Sequence, residues 1–469
     1  MDSKEKSRSE LMKEKLFSQK KNAYLKLDDS EINASYALCE EYKSFLDKAK
    51  TEREFVKEAV KAAREAGYTE FSADKKYSAG DKIYCVNRGK AVMLAIIGTR
   101  PLTDGIRLAA AHIDSPRLDL KQHPLYEDKE IALLKTHYYG GIKKYQWTTV
   151  PMALHGTVVK ADGSSVDVNI GEDEGDPQFC VTDLLIHLAD EQMKRPAAKV
   201  VKGEELNVLV GSRPFKDDKG SQLVKLYTLQ LLNEKYGITE DDLISAELEA
   251  VPACKAVDIG FDRSMIGAYG QDDKVCAYTE LKAILDTASP AYTCLAVLTD
   301  KEEIGSMGNT GLESEYMRYF IMRLAKSFGC DGIDVISATQ ALSADVNAAF
   351  DPSFPEPMDI NNGCQLNYGV AVTKYTGARG KSGSSDASAE FVGKVRRLFD
   401  ENGVEWQTGE LGKVDAGGGG TVAQYLANLD IDVIDVGVPV LSMHSPFEVT
   451  SKIDTYMAYK AFKVFFAEK

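Results

Sequence analysis

Nearly continuous apolar runs alternate along the chain with segments whose apolar positions recur every three or four residues. Residues 106–111 (IRLAAA), 294–298 (CLAVL) and 433–438 (VIDVGV) have the length and composition of strands buried on both faces. Helical patterns separate them, and a last one, residues 453–467, closes the chain. This alternation predicts an α/β fold, a mixed and mostly parallel sheet flanked by helices. Two helices are expected to open it. The second starts at the capping-box pair Thr51 and Glu54, buries a face that includes Phe55, Val56, Ala59 and Val60, and stops before Gly67. A hairpin follows, residues 83–86 and 91–97, turning at Asn87–Gly89.

The middle of the chain reads differently. Residues 122–253 contain a second hairpin, 156–159 with 166–170, turning at Asp162–Gly163, and amphipathic helical patterns at 184–193 and 223–236. The stretch is read as a smaller α+β, β-rich domain inserted into the first, whose two parts are then residues 1–121 and 254–469, because the strongest chemical motifs lie on both sides of it. The four-glycine run Gly417–Gly420 is expected to be a tight turn against a cleft.

Charge narrows the partners. With a formal net charge of −15 the chain is a poor candidate for nucleic acid or an anionic membrane. Its eight cysteines are scattered with no CxxC pair, which suits reduced thiols in a cytoplasmic protein. The opening segment, Met1 to Lys26, is charged throughout, unlike a signal peptide, and Lys13, Lys15, Lys20 and Lys21 read as a solvated helix or frayed end. No stretch approaches the ~18 consecutive apolar residues of a membrane span.

Polar residues recur just past the apolar runs. His112 and Asp114 follow residues 106–111, at the C-terminal end of a buried strand, where open α/β sheets place their sites. Glu302 and Glu303 follow the run 294–298 in the same way. Asp272 and Asp273 stand at the start of an apolar helix, Asp345 ends a weakly apolar stretch, and His444 lies between the run 433–438 and the last helix. Taken singly, each has a bland reading as a cap, a charged loop or a structural histidine. Together they supply the mixed nitrogen and oxygen donors that two first-row ions ~3.5–4 Å apart require, with a carboxylate to bridge them. One glutamate is left over to act as a general base.

The motifs AAHIDSPRLDLK, GQDDK, TDKEEIGS, SAD and MHSP resemble, in this order and over nearly the whole chain, the metallopeptidases that include aspartyl aminopeptidase and vacuolar aminopeptidase I. The resemblance implies a metal-dependent aminopeptidase with two divalent ions per subunit, zinc first and cobalt or manganese as substitutes. Asp272 would bridge the ions, His444 and Glu303 would complete one shell, and His112 and Asp345 the other. Glu302 would be the general base activating water, and Asp114 would orient His112. It also implies that the insertion pairs subunits into a homo-oligomer, a tetrahedral dodecamer built from dimers, that admits peptides. A histidine commonly donated by the insertion has His187 and His155 as its nearest counterparts, of which His187 is carried as a substrate-side candidate. After SAD, where relatives commonly carry histidines, this chain reads Val346-Asn347-Ala348-Ala349-Phe350.

Competing signatures are weak. There is no HExxH and no GxSxG, and Gly380-Lys381-Ser382 shares only the end of a phosphate loop, with Tyr375 where a glycine belongs. A related co-catalytic zinc carboxypeptidase or N-acyl-amino-acid deacylase would need a cation for the substrate carboxylate, and Lys374 and Arg379 are the candidates. The same residues would equally serve an aminopeptidase selecting acidic side chains. A non-catalytic assembly protein of the same fold has no use for a glutamate at position 302.

Overall fold

Residue 107 apart, the run Ile106–His112 offers only small or apolar side chains before its histidine, and it lies fully buried in the middle of a nine-stranded sheet. The computed structural model describes residues 6–18, 20–217 and 219–469; residues 1–5 and 19 of the charged opening segment lie outside the described residues. Across the sheet the strands run Thr69–Glu70, Lys82–Asn87, Ala91–Ile96, Thr293–Thr299, Ile106–His112, Gln340–Ser343, Asp432–Gly437, Val370–Thr373 and Trp406–Thr408. The four central strands, from Thr293–Thr299 to Asp432–Gly437, are mutually parallel. Antiparallel pairing appears on either side of them, at Ala91–Ile96 and at Val370–Thr373, so the sheet is mixed with a parallel centre.

Alternation along the central strand sends its side chains into two cores. Ala109 and Ala111 pack with helices Asp29–Leu46, Glu52–Glu65, Gln271–Leu285 and Lys452–Phe466, while Leu108 and Ala110 face helices Tyr316–Phe328 and Gly332–Ser337. Fully buried Phe462, Phe465 and Phe466 anchor the last helix, at roughly 1.5–3 kcal/mol of transfer free energy each.

A second, wholly antiparallel sheet has seven strands, all drawn from residues 117–252, with a separate core around Trp147, Leu154 and Val208. A third sheet of five short strands pairs Met265–Ala268 with Glu448–Ser451.

Local chemistry explains most element ends. The capping box at Thr51 forms, with the Glu54 amide donating to Thr51 Oγ1 at 3.3 Å and the Thr51 amide to Glu54 Oε2 at 3.1 Å. Helix Leu223–Tyr236 and both hairpins stand where periodicity puts them. Two expectations need correcting. Among the described residues three α-helices, not two, precede the sheet, because Ser7 and Glu10 cap an additional one, Arg8–Leu16, which buries nothing and carries Lys13 and Lys15. Residues 184–193 form a short 3₁₀ turn, Ile186–Leu188, and a four-residue helix, Asp190–Met193, in place of one amphipathic helix. Leu184, Leu185, Ile186 and Leu188 are too nearly contiguous to define one helix face, and all four remain exposed.

Candidate metal centre

Four parallel strands end on the same edge of the central sheet, and the turns that leave them carry the polar side chains. His112 is the last residue of its strand; Glu302 and Glu303 follow Thr293–Thr299; Asp345 follows Gln340–Ser343; His444 lies beyond Asp432–Gly437. Asp272 arrives from the side, at the start of helix Gln271–Leu285, where its peptide to Asp273 is cis. Gly437 makes this convergence possible, since a Cβ there would lie 1.6 Å from the Asp345 carbonyl oxygen. Lys301 and His444 both hold left-handed backbone conformations, φ 69° and 65°.

Asp272 stands between the two histidines. Its Oδ1 is 3.2 Å from His112 Nε2 and its Oδ2 is 3.1 Å from His444 Nε2. His112 Nε2 is also 3.8 Å from Asp345 Oδ1, and His444 Nε2 is 3.6 Å from Glu303 Oε2. Each imidazole turns its other nitrogen to a carbonyl: His112 Nδ1 donates to Asp114 O at 3.1 Å and His444 Nδ1 to Gly141 O at 2.6 Å. A carbonyl only accepts, so Nδ1 carries the hydrogen and the Nε2 lone pairs point at carboxylate oxygens. Acceptor facing acceptor requires positive charge between them, from a proton on each imidazole or from a metal ion.

The electrostatics point the same way. Burial raises the Asp272 carboxyl, but His112 and His444 together outweigh it and hold the group below the usual range. Burial lowers the His444 imidazole, yet Asp272 and Glu303 push it up to about 11. Burial, then the charge of Asp345, lifts Glu302 to about 8, and burial, then Asp272, raises Glu303. Asp272 Oδ1 and Glu303 Oε1 are buried and meet no hydrogen-bond donor among the described residues. Buried anionic acceptors without donors are costly unless a cation satisfies them, and the donor set fits a divalent ion of the zinc type. Ligand atoms of His112, Asp272 and Glu303 lie within 4.8 Å of one another, and so do those of His112, Asp273 and Asp345.

Asp114 is fully buried behind this cluster. Its Oδ1 accepts the Glu302 amide at 3.1 Å and its Oδ2 the Glu303 amide at 3.2 Å, while the Tyr139 hydroxyl donates to Oδ2 at 2.9 Å. Toward His112 the closer contact comes from the Asp114 carbonyl, the carboxylate lying 3.4 Å away. Tyr139, Gly140 and Gly141 escaped the sequence reading, although an aromatic followed by two glycines at a strand end marks a turn under constraint. Gly140, at φ 78°, lies against Glu303: a Cβ there would stand 3.0 Å from Oε2.

A cleft of about 320 Å³ opens over Asp272, Glu302, Asp345 and His444. Its far wall includes Tyr375, Arg379, Leu411 and the glycine run Gly417–Gly420. Lys374 does not line it; its ammonium pairs with Asp386 at 2.7 Å. His187 sits on the exposed turn Ile186–Leu188, away from the cleft lining of its own chain. His155 is buried elsewhere, with Nδ1 2.8 Å from Glu54 Oε1 and Nε2 3.2 Å from Glu172 Oε1.

Residues 45–466 match the family model of the aminopeptidase I zinc metalloproteases, M18. A curated relative from Clostridium acetobutylicum, a probable M18 family aminopeptidase 1, is 48% identical over 460 residues, spanning 96% of this chain and 98% of its own. The crystal structure of an M18-family aminopeptidase from Thermotoga maritima superposes with a TM-score of 0.92 at 43% identity, covering 96% of this chain and 100% of the other. The fold extends to an S. cerevisiae protein described as the mApe1 dodecamer, with a TM-score of 0.75, 20% identity, and coverage of 92% of this chain and 97% of that one.

Proposed function

The chain belongs to the M18 family of aminopeptidase I zinc metalloproteases, and from that premise we propose how its residues divide the work of releasing N-terminal amino acids. Asp272 would hold both of two divalent ions, zinc by preference, with His444 and Glu303 as the further donors to one and His112 and Asp345 to the other. The observation that carries this is the pair of contacts from one carboxylate to two histidines, 3.2 Å on one side and 3.1 Å on the other. When bound, such ions polarise a carbonyl and make water a nucleophile near neutral pH.

The remaining groups move protons and hold positions. Glu302, in the cleft but outside the pairwise contacts of Asp272, takes the proton of the attacking water and returns it to the departing amine. A carboxyl raised by burial is suited to that exchange near neutral pH. Asp114 fixes the Glu302–Glu303 backbone through both its oxygens. Arg379 on the cleft wall reads the charge of the substrate.

The proposal extends to assembly. Residues 122–253 form an inserted domain that pairs subunits, and dimers build a tetrahedral dodecamer that admits peptides. Exposed Leu184, Leu185, Ile186, Leu188 and Met193 support it as an apolar surface in want of cover. His187, carried as a substrate-side candidate, belongs to the same exposed segment. A cytoplasmic location suits eight cysteines that are all unpaired.

Chelation followed by metal restoration, read with free-amine and N-acylated peptides of one sequence, tests the reading. Loss and recovery of N-terminal release from the free-amine peptides alone are expected. Cleavage of the N-acylated peptides, or activity untouched by chelation, would contradict it.

A further inference from the structure

Glu448 lies four residues beyond His444, at the start of strand Glu448–Ser451, and is 1% exposed. Pairing of that strand with Met265–Ala268 sets Glu448 opposite Ala268, just ahead of the Gly270–Asp273 turn. Its two oxygens then serve two different loops. Oε1 accepts the His444 amide at 2.7 Å and Oε2 accepts the Asp272 amide at 3.1 Å. The contact is reinforced where Gln271 Nε2 donates to the Glu448 carbonyl at 2.7 Å.

Asp114 does the same on the other side of the cluster, where its two oxygens hold the amides of Glu302 and Glu303. Two buried carboxylates, neither of them facing the histidine Nε2 atoms, therefore fix the backbones that carry the acids and one histidine. The loops joined by Glu448 are far apart in the chain, and the pair contact it frames, Asp272 Oδ2 to His444 Nε2, is one half of the bridging arrangement.

We infer that Glu448 is a positioning residue, which sets the spacing between the bridging aspartate and the histidine opposite it and so tunes the affinity for the ion between them. This rests on the reading of Asp272 and His444 as metal ligands. Ion affinity depends on ligand placement because a carboxylate and an imidazole must meet one small cation at fixed distances, and outer partners are what hold them there.

Glu448→Gln probes this directly. A glutamine side chain has one acceptor oxygen and one NH₂ donor, so it can hold one loop and must repel the other amide. Zinc affinity, measured by competition with a chromophoric chelator on the purified full-length chain, is expected to fall roughly 10–100-fold, the usual effect of losing such a partner. The circular dichroism of the metal-free protein should be unchanged, and peptidase activity should return as zinc is raised. Affinity within about twofold of wild type would overturn the inference, because a positioning partner carries more than that. A lower metal-free melting temperature with affinity intact would overturn it as well, leaving only a structural role. Should Glu448→Gln fail to fold, hydrogen exchange on the metal-free wild type decides: the amides of Asp272 and His444 should be protected, and rapid exchange at both would overturn it. Asp272→Asn is the control. If it binds zinc as tightly as wild type, the site assignment itself is wrong and the inference falls with it; if it loses zinc while Glu448→Gln keeps it, only the inference falls.

Discussion

On the floor of the cleft Asp272 has a side chain only 4% exposed, and His112, in contact with it but outside the cleft lining, is 1% exposed; they stand where a helix begins and a strand ends. On the wall, Lys381, 44% exposed, pairs with Asp386 at 3.1 Å, and Lys374, which lies outside the cleft lining, shares the same aspartate at 2.7 Å. The floor carries charges that only a cation or protons can balance, and the amides of Asp272, Glu302, Glu303 and His444 are held by the buried carboxylates of Asp114 and Glu448. The wall carries charges that water and one another already satisfy. Changes on the floor should therefore act on turnover and metal content, and changes on the wall on substrate binding alone.

The sharpest test of that division is Glu302→Gln. It preserves shape and removes the base, so kcat should fall roughly 10²–10⁴-fold, with zinc content by mass spectrometry the same as wild type. Equal loss of zinc would make Glu302 a ligand and blur the distinction between floor and base. Next comes Tyr139→Phe, which removes the hydroxyl that donates to Asp114 while leaving the ring over which Arg117 is stacked. About a tenfold loss in kcat with KM unchanged is expected, the scale of a partner acting through another residue. A KM effect alone would place Tyr139 with the wall.

Arg379→Ala should be smaller. It lines the cleft from the exposed side, so KM for peptides with an acidic N-terminal residue should rise by up to about fivefold, the worth of one exposed charge contact, with kcat unchanged. Lys374→Ala should do least, since its partner is Asp386 and not the cleft. If Lys374→Ala moves kcat, the wall is coupled to the chemistry and the comparison fails.

The same contrast explains what could be read from the sequence. His112, Glu302 and Glu303 follow strongly apolar runs and Asp345 a weakly apolar one, so their placement at strand ends was legible in the sequence. Asp272 and His444 were legible through their motifs. Glu448, Tyr139 and Gly141 were not, because their roles come from pairings between segments far apart in the chain: Glu448 with Asp272, Tyr139 with Asp114, Gly141 with His444. Periodicity carries no trace of such contacts. The segment 184–193 misled for another reason: its apolar residues were read as a helix face, yet they remain on the surface. The mixed character of the large sheet was legible, but the antiparallel direction of Val370–Thr373 was not, since that strand is as buried as the parallel ones and reads alike.

The central claim is that one carboxylate, Asp272, joins two metal positions. Anomalous diffraction from zinc-soaked crystals, recorded on both sides of the zinc absorption edge, tests it most directly. Two peaks are expected, one between Asp272 Oδ1 and His112 Nε2 and one between Asp272 Oδ2 and His444 Nε2. A single peak, or peaks that leave either oxygen of Asp272 without an ion, would contradict the account.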